Sequence, residues 1–391
     1  MTAPPHTEGS EALLRPRIKP EHQAYRTIDG NVRIGSVIYG IGAEIEDPDG
    51  WIWTLTEAMD GTRTAAQIAA EVAAAHPRLP LPAETVGSAM ADLRDAGFVD
   101  DAAAPLPAGL AERDRIRHAR GVALLRWMDL SPRATPWDAQ LRLAGARVLV
   151  LGVGGTGGVA AQVLVASGVG HVHVVDPDVV ELSNLNRQVL YREADIGRPK
   201  TDAAVAALRA LNSDVTVTGE RREIRGPGAL AALLAPDGTP SPYDLLVLGA
   251  DRPPAIRRWA NRVCLALGLP WVEGGYRGPL VTAGVHVPGD GPCWECQRIG
   301  EDARRDLRLA PGQSEEAASP RMAWNPASAV TAGLSGTLVA HAALALLTGV
   351  PPMRPGFRYG INLMALGEPI LQRHPRLPTC PACGSPAGRG T

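Results

Sequence analysis

The sequence predicts an α/β fold with a mainly parallel sheet built around a nucleotide, and a small winged-helix unit ahead of it. Three observations carry this. The apolar run Arg147-Val148-Leu149-Val150-Leu151 reads as a buried strand; it leads into Gly152-Val153-Gly154-Gly155-Thr156-Gly157-Gly158 and an Ala/Val/Leu-rich helix ending near Ser167. A second β-branched run, His171 to Val175, ends on Asp176. Upstream, short alternating runs between Tyr25 and Ile45 precede three helical stretches and a final Phe98-Val99. Strand, Gly-rich turn, helix, strand and acid make a Rossmann-like βαβ unit. Its glycines let the backbone turn and approach phosphate, its helix N-terminus favours negative charge, and its acid can take a ribose hydroxyl pair.

Composition narrows the class. The chain of 391 residues is long enough for two or three domains, and its net charge of −2 offers no field that would draw nucleic acid or a membrane surface. Four of its five cysteines sit in two C-x-x-C pairs, a pattern that favours metal in a reducing, cytoplasmic compartment over disulfides. Met1 to Ser10 has neither a basic start nor an apolar core, so no signal peptide is expected. Ala327 to Gly349 is apolar and long enough to span a membrane, but it is Ala-rich and carries Ser, Thr, Gly and His341. A buried helix at a core or subunit interface is expected there.

Taken in order, residues 1–24 form a polar, Pro-rich, disordered N-terminus. Val32-Arg33-Ile34, Val37-Ile38-Tyr39 and Ala43-Glu44-Ile45 alternate with Gly and polar residues, as a small antiparallel sheet does. Helices are expected over Trp53–Met59, over Thr64–Ala75 with Thr64 as cap, and over Ala83–Ala96, where Val86, Met90 and Leu93 share a face. The third helix carries Glu84, Asp92, Arg94 and Asp95, too acidic for a DNA-reading helix, so the winged unit, residues 25–101, is expected to bind peptide or to serve as an appendage. Residues 102–123 read as an Ala/Pro-rich linker running into a charged helix, and residues 124–391 as the nucleotide-binding domain with a metal-stapled C-terminus. Within that domain Thr201–Leu211 and Ile256–Leu267 are helical. Val215–Thr218, Tyr243–Ala250 and Pro270–Gly275 are strands, with Asp251 at the carboxyl end of the second, where open α/β sheets bind ligands.

The βαβ unit alone would also fit a dehydrogenase. The next segment would not: Asp176-Pro177-Asp178 runs on to Ser183-Asn184-Leu185-Asn186-Arg187-Gln188 and then Gly197-Arg198-Pro199-Lys200. Hydride transfer needs no such cluster of amide, guanidinium and ammonium groups. The block, over roughly Leu124 to Cys383, resembles the ThiF/MoeB/HesA adenylyltransferases, relatives of ubiquitin-activating enzymes. The resemblance implies that Gly152, Gly154, Gly155 and Gly157 cradle ATP and that Asp176 holds the ribose. Asn184, Arg187, Gln188 and Lys200 would then contact phosphates, with Asp178 either at the nucleotide or in the turn. Asp251 matches the acid that helps hold Mg²⁺, although family members often show Asp-Asn where this chain has Asp251-Arg252-Pro253-Pro254. An arginine just before the core reaches a partner subunit's nucleotide in the family; Arg126 is nearest that position, in a poorly matching Leu-Leu-Arg-Trp-Met. Arg187, Lys200 and Asp251 are the expected catalytic residues, and a homodimer is implied.

The two pairs Cys293/Cys296 and Cys380/Cys383 suit a closed, tetrahedral, structural Zn²⁺ site that would tie the C-terminal tail to the domain, as the family does. Cys264 lies in an apolar helix and reads as a buried structural thiol. Thioester-forming relatives carry a cysteine in the crossover segment, here about Ile299 to Asn325, which has none; Glu301 to Pro320 reads as a charged loop, a candidate lid. The acyl-adenylate is therefore expected to meet an amine, thiol or amide of a substrate or partner.

Leu55, Met59, Asp60-Gly61, Thr64, Ile68, Leu93, Gly97 and Phe98-Val99 make the winged unit similar to PqqD-like domains, the recognition elements for leader peptides of ribosomal natural products. The resemblance implies leader binding by strand addition. The combined expectation is ATP-dependent activation of a carboxylate on a precursor peptide, with a downstream modifying enzyme as a candidate acceptor. Two alternatives stay open: adenylation of a ubiquitin-like sulfur carrier, and a non-catalytic leader-binding partner of a cyclodehydratase.

Overall fold

A computed structural model describes residues 14–304, 306–313, 322 and 325–384. The chain divides into an N-terminal unit ending at Leu141 and a larger unit beginning at Arg142.

The N-terminal unit opens with β1 (Pro16–Ile18), then β2 (Ala24–Arg26), β3 (Val32–Ser36) and β4 (Ile41–Ile45). Strands β2, β3 and β4 form a three-stranded antiparallel sheet. Helices α1 (Trp51–Ala58), α2 (Ala65–Ala75) and α3 (Ala83–Asp95) come next, then β5 (Val99–Asp101) and α4 (Glu112–Met128). Thr64 caps α2 through a reciprocal bond pair with Gln67, as the sequence suggests. Ile34, Leu55, Ile68, Val72, Val86, Met90 and Phe98 close the core.

Two expectations change here. Residues 1–13 of the expected disordered tail lie outside the described residues, but the tail's last part is ordered: β1 pairs antiparallel with β5, with Pro16 opposite Asp101. Arg17 fixes that register by a two-bond contact with Asp100. The strand after α3 thus pairs with the N-terminus and not with the three-stranded sheet. The domain boundary also falls at 141/142 instead of 124. Helix α4 belongs to the first unit because Arg126 pairs with Asp100 at 2.7 Å and Glu21 at 3.1 Å, and Lys19 donates to the Asp129 carbonyl. Gly97, at φ +80°, lets Leu130 pass where a Cβ would meet its backbone at 2.3 Å.

After α5 (Asp138–Gly145), the larger unit runs β6 (Arg147–Leu151), α6 (Gly155–Ala166), β7 (His171–Val175), α7 (Lys200–Leu211), β8 (Thr216–Glu220), α8 (Pro227–Leu234), β9 (Leu245–Leu248) and α9 (Ile256–Leu267). It continues with β10 (Trp271–Arg277), β11 (Leu280–His286), α10 (Trp294–Arg304), α11 (Ala329–Thr348), β12 (Phe357–Asn362) and β13 (Pro369–Arg373). The strand order is β13-β12-β11-β10-β9-β6-β7-β8. β10, β9, β6, β7 and β8 are parallel, and β11 to β13 extend the sheet antiparallel.

Strand alternation splits the core into two layers. Val148 and Val150 face α6, α7 and α11, while Leu149 and Leu151 face α8 and α9. Each fully buried aliphatic side chain contributes about 1.5–3 kcal/mol. Helix α11, long and apolar enough to cross a membrane, is instead laid on the sheet and α6. Its small residues explain its composition: a Cβ on Gly336 would stand 2.6 Å from the Thr156 carbonyl, and Ser335 accepts from Thr156 Oγ1 at 3.2 Å. The candidate lid, Glu301 to Pro320, begins inside α10; residues 305 and 314–321 lie outside those described.

Candidate active site

The Gly-rich turn lies between β6 and α6, at the carboxyl ends of the parallel strands. Three of its glycines are demanded by the protein itself. Gly152 has φ +87°, and a Cβ there would stand 2.6 Å from the Ala250 nitrogen; a Cβ on Gly157 would stand 1.8 Å from the Gly152 carbonyl. A Cβ on Gly155 would stand 2.7 Å from the Ala332 Cβ. Gly154 is different: a Cβ there would meet only Gln188 Nε2, at 3.7 Å. Its missing side chain therefore leaves room beside the first N–H groups of α6, the position a phosphate takes.

Asp176, buried at the end of β7, accepts from Val153 N at 2.8 Å and from Asp178 N at 2.9 Å. It thus holds the turn's shape. Burial pushes its pKa above the ordinary carboxylate range, with Lys200 and the two N–H donors pulling the other way. Tyr191 clamps the same turn, donating to the Val153 carbonyl at 2.7 Å.

Lys200 opens α7 and is buried, its ammonium 2.9 Å from the exposed carboxylate of Asp178. Asn184 ends a short 3-10 turn, and its Oδ1 accepts from Glu181 N at 3.1 Å, which fixes the Ser183–Gln188 loop. Arg187 donates to the Ser183 carbonyl at 2.8 Å and to Asn186 Oδ1 at 3.1 Å. Gln188 is buried, and its Oε1 has no partner among the described residues. A buried acceptor without a donor costs about 1–3 kcal/mol, so this one points to a ligand. Asp251 lies just past β9 and is exposed.

Tyr276, near the end of β10, is a member of the site that the sequence motifs miss. A Cβ on Gly155 would stand 3.7 Å from its hydroxyl, and the charges of Arg187 and Asp251 act on that hydroxyl in opposite directions. So the structure brings Tyr276 to Gly155 of the turn, within the field of Arg187 and Asp251, ties Asp176 to the turn through Val153 N, and joins Lys200 to Asp178. Arg126 belongs to the N-terminal unit, where Asp100 and Glu21 hold its guanidinium. The rule that ligands bind at strand carboxyl ends points to the end of this strand without singling out Tyr276, and nothing in the sequence marks Tyr191.

The four paired cysteines converge. Cys293 lies 3.9 Å from Cys296 and 3.6 Å from Cys380, and Cys296 lies 3.4 Å from Cys383. All four sulfurs fall within 4.8 Å of one another. A tetrahedral ion with bonds of about 2.3 Å needs sulfurs about 3.8 Å apart, so the cluster could hold zinc. Asn261 Nδ2 and the Leu377 N–H point at Cys293 and Cys296, the outer-shell donors thiolates call for. Cys264 is wholly buried in α9, as expected, and its thiol is pushed far up by burial.

The ThiF family profile matches residues 128–382. The chain belongs to the ThiF family. Over 260 residues it is 35% identical to the sulfur carrier protein adenylyltransferase of Thermus thermophilus, covering 65% of this chain and 87% of that protein. It is 38% identical over 159 residues to the Arabidopsis thaliana adenylyltransferase and sulfurtransferase MOCS3, covering 41% of this chain but spanning only about a third (32%) of that protein. By structure it is similar to E. coli MccB crystallised with MccA-N7isoASN, at TM-score 0.70 and 22% identity, over 95% of this chain and 99% of that one. Membership makes the chain an ATP-dependent adenylyltransferase, and the cradle at Gly154 with the orphaned Gln188 suits the nucleotide that class uses.

Proposed function

We propose that the chain adenylates a carboxylate on a ribosomally made precursor peptide, whose leader the N-terminal unit holds. The observation that carries this is the free-edged sheet β2-β3-β4 in a unit of its own: among the described residues neither β2 nor β4 pairs on its outer side. Such an edge offers main-chain bonds to an added strand. This supports the PqqD-like reading of residues 25–101.

The chemistry runs through the residues of the Gly turn and the loop beside it. A substrate carboxylate oxygen attacks the α-phosphorus of ATP, the bond to pyrophosphate breaks, and pyrophosphate leaves with the electron pair. Charge builds on phosphoryl oxygens, which Arg187 and Lys200 stabilise. Asp251 is the residue that would hold Mg²⁺, and the metal would neutralise phosphate charge. Zinc on Cys293, Cys296, Cys380 and Cys383 would be structural. The acyl-adenylate passes to an amine, thiol or amide of the substrate or a downstream enzyme. The active form is a cytoplasmic homodimer.

A second reading is adenylation of a sulfur-carrier protein, which the activity of the Thermus relative favours. Pyrophosphate exchange decides between them. A precursor peptide should drive exchange, and removing its leader should raise KM at least about tenfold by loss of local concentration. Deleting the N-terminal unit through Leu141 should abolish that difference. Exchange driven only by a small protein ending in Gly-Gly would refute the peptide reading.

A further inference from the structure

The end of β10 is held more firmly than a strand terminus needs. Glu273, buried, accepts from Arg257 Nε and from Arg358 Nη2, each at 2.9 Å, and Arg358 in turn binds Glu301 at 2.9 Å. The strand opposite is cut to fit, because a Cβ on Gly284 would stand 2.8 Å from Glu273 Oε1. Arg257 also donates to the Gly274 carbonyl, and Gly274 packs where a Cβ would meet Val339 of α11 at 2.3 Å. Asn325 Nδ2 donates to the Tyr276 carbonyl at 3.2 Å. Both faces of β10 are thus fixed immediately before Tyr276, so the phenol projects from an immobile base.

Its hydroxyl lies beside Gly155, in the company of Arg187 and Asp251. Arg187, having no acceptor atom, cannot take the phenol's proton. No acceptor among the described residues takes that proton either, which leaves it for a ligand at the turn. Burial pushes the Tyr276 pKa up, with Arg187 opposing, so the hydroxyl stays protonated near neutral pH. A fixed, protonated donor over the phosphate end of the Gly turn is the arrangement that stabilises charge developing in a transition state.

We propose that Tyr276 is a catalytic residue of the adenylation step, its O–H donating to a non-bridging oxygen of the transferring α-phosphoryl group. Tyr276 keeps its proton throughout; the only bonds exchanged are the carboxylate oxygen to phosphorus bond formed and the phosphorus to pyrophosphate bond broken. This role rests on the adenylation of a carboxylate proposed above.

The test is Tyr276→Phe in the full chain. Its kcat for carboxylate-dependent pyrophosphate exchange should fall on the order of a hundredfold, the usual effect of removing one such donor. ATP affinity measured by calorimetry and the melting temperature should stay near wild type. Fluorotyrosine incorporated at 276 keeps the shape but lowers the phenol pKa, and should move the alkaline limb of the pH–rate profile to lower pH. An unchanged kcat, an unmoved alkaline limb, or a parallel loss of melting temperature and ATP binding would each overturn the role. Failure of the wild-type chain to exchange pyrophosphate with any carboxylate substrate would instead overturn the reading beneath it.

Discussion

Removing Cys380 tests the C-terminal staple most directly. Cys293 and Cys380 are 87 positions apart, so an ion shared between the two pairs closes a long loop. Treated as a cross-link, a loop of that length restricts the unfolded chain by about 4–5 kcal/mol. The unit from Arg142 onward has roughly 250 residues, so its unfolding entropy is about 0.5 kcal/mol/K. The expected drop in Tm is therefore about 10 °C for Cys380→Ser, and a similar drop on chelation of the wild type. Metal analysis should return about one zinc per chain, lost in the variant. Calorimetry with and without chelator is the assay. A metal-free protein that melts where the zinc-loaded one does would refute the reasoning, because a cluster that closes no loop has nothing to lose.

Two further outcomes are expected from the site and the core. Arg187→Ala and Lys200→Ala should each reduce pyrophosphate exchange about a hundredfold or more while the circular dichroism spectrum is kept, whereas Cys264→Ala should leave exchange unchanged; full exchange in both cationic variants would remove them from the site. Acid should destabilise the larger unit in two stages. Burial and the Arg358 charge hold His286 down at about 3, so the unfolded chain binds its proton first and stability falls as pH drops from about 6.5. Burial opposes ionisation of Glu273, but Arg358 and Arg257 outweigh it and hold it at about 2; its contribution, on the order of 3 kcal/mol, is present above about 4.5 and lost as pH falls toward 2. His286→Phe, which keeps the stack on Trp271, should flatten the upper stage in pH-dependent urea unfolding; an unchanged slope would place the titrating group elsewhere.

The βαβ unit, the SNLNRQ block and the paired cysteines are legible in the sequence because each is a local pattern whose spacing dictates its geometry. Gly152, Gly154, Gly155 and Gly157 can be named as a phosphate turn from the sequence. That packing demands Gly152, Gly155 and Gly157 and leaves room beside Gly154 is decided by Ala250, Ala332 and the Gly152 carbonyl, which only the fold brings there. Helix α11 looks membrane-like by composition, and the sheet and α6 explain why: close helix contact needs small residues as much as apolar ones. The ordered β1 is illegible, because three residues carry no periodicity and its partner β5 lies more than 80 positions away. Tyr276 and the Arg257–Glu273–Arg358 ladder are hidden for the same reason. A tyrosine in a strand reads as packing until the strand order places its hydroxyl beside an arginine from another loop. Local motifs therefore carried the resemblance to the family, and with it the chemistry expected of the nucleotide site. Long-range pairing decided which side chains stand rigidly around it, since a hydrogen bond of 2.9 Å between residues 85 positions apart leaves no trace in either neighbourhood of the sequence.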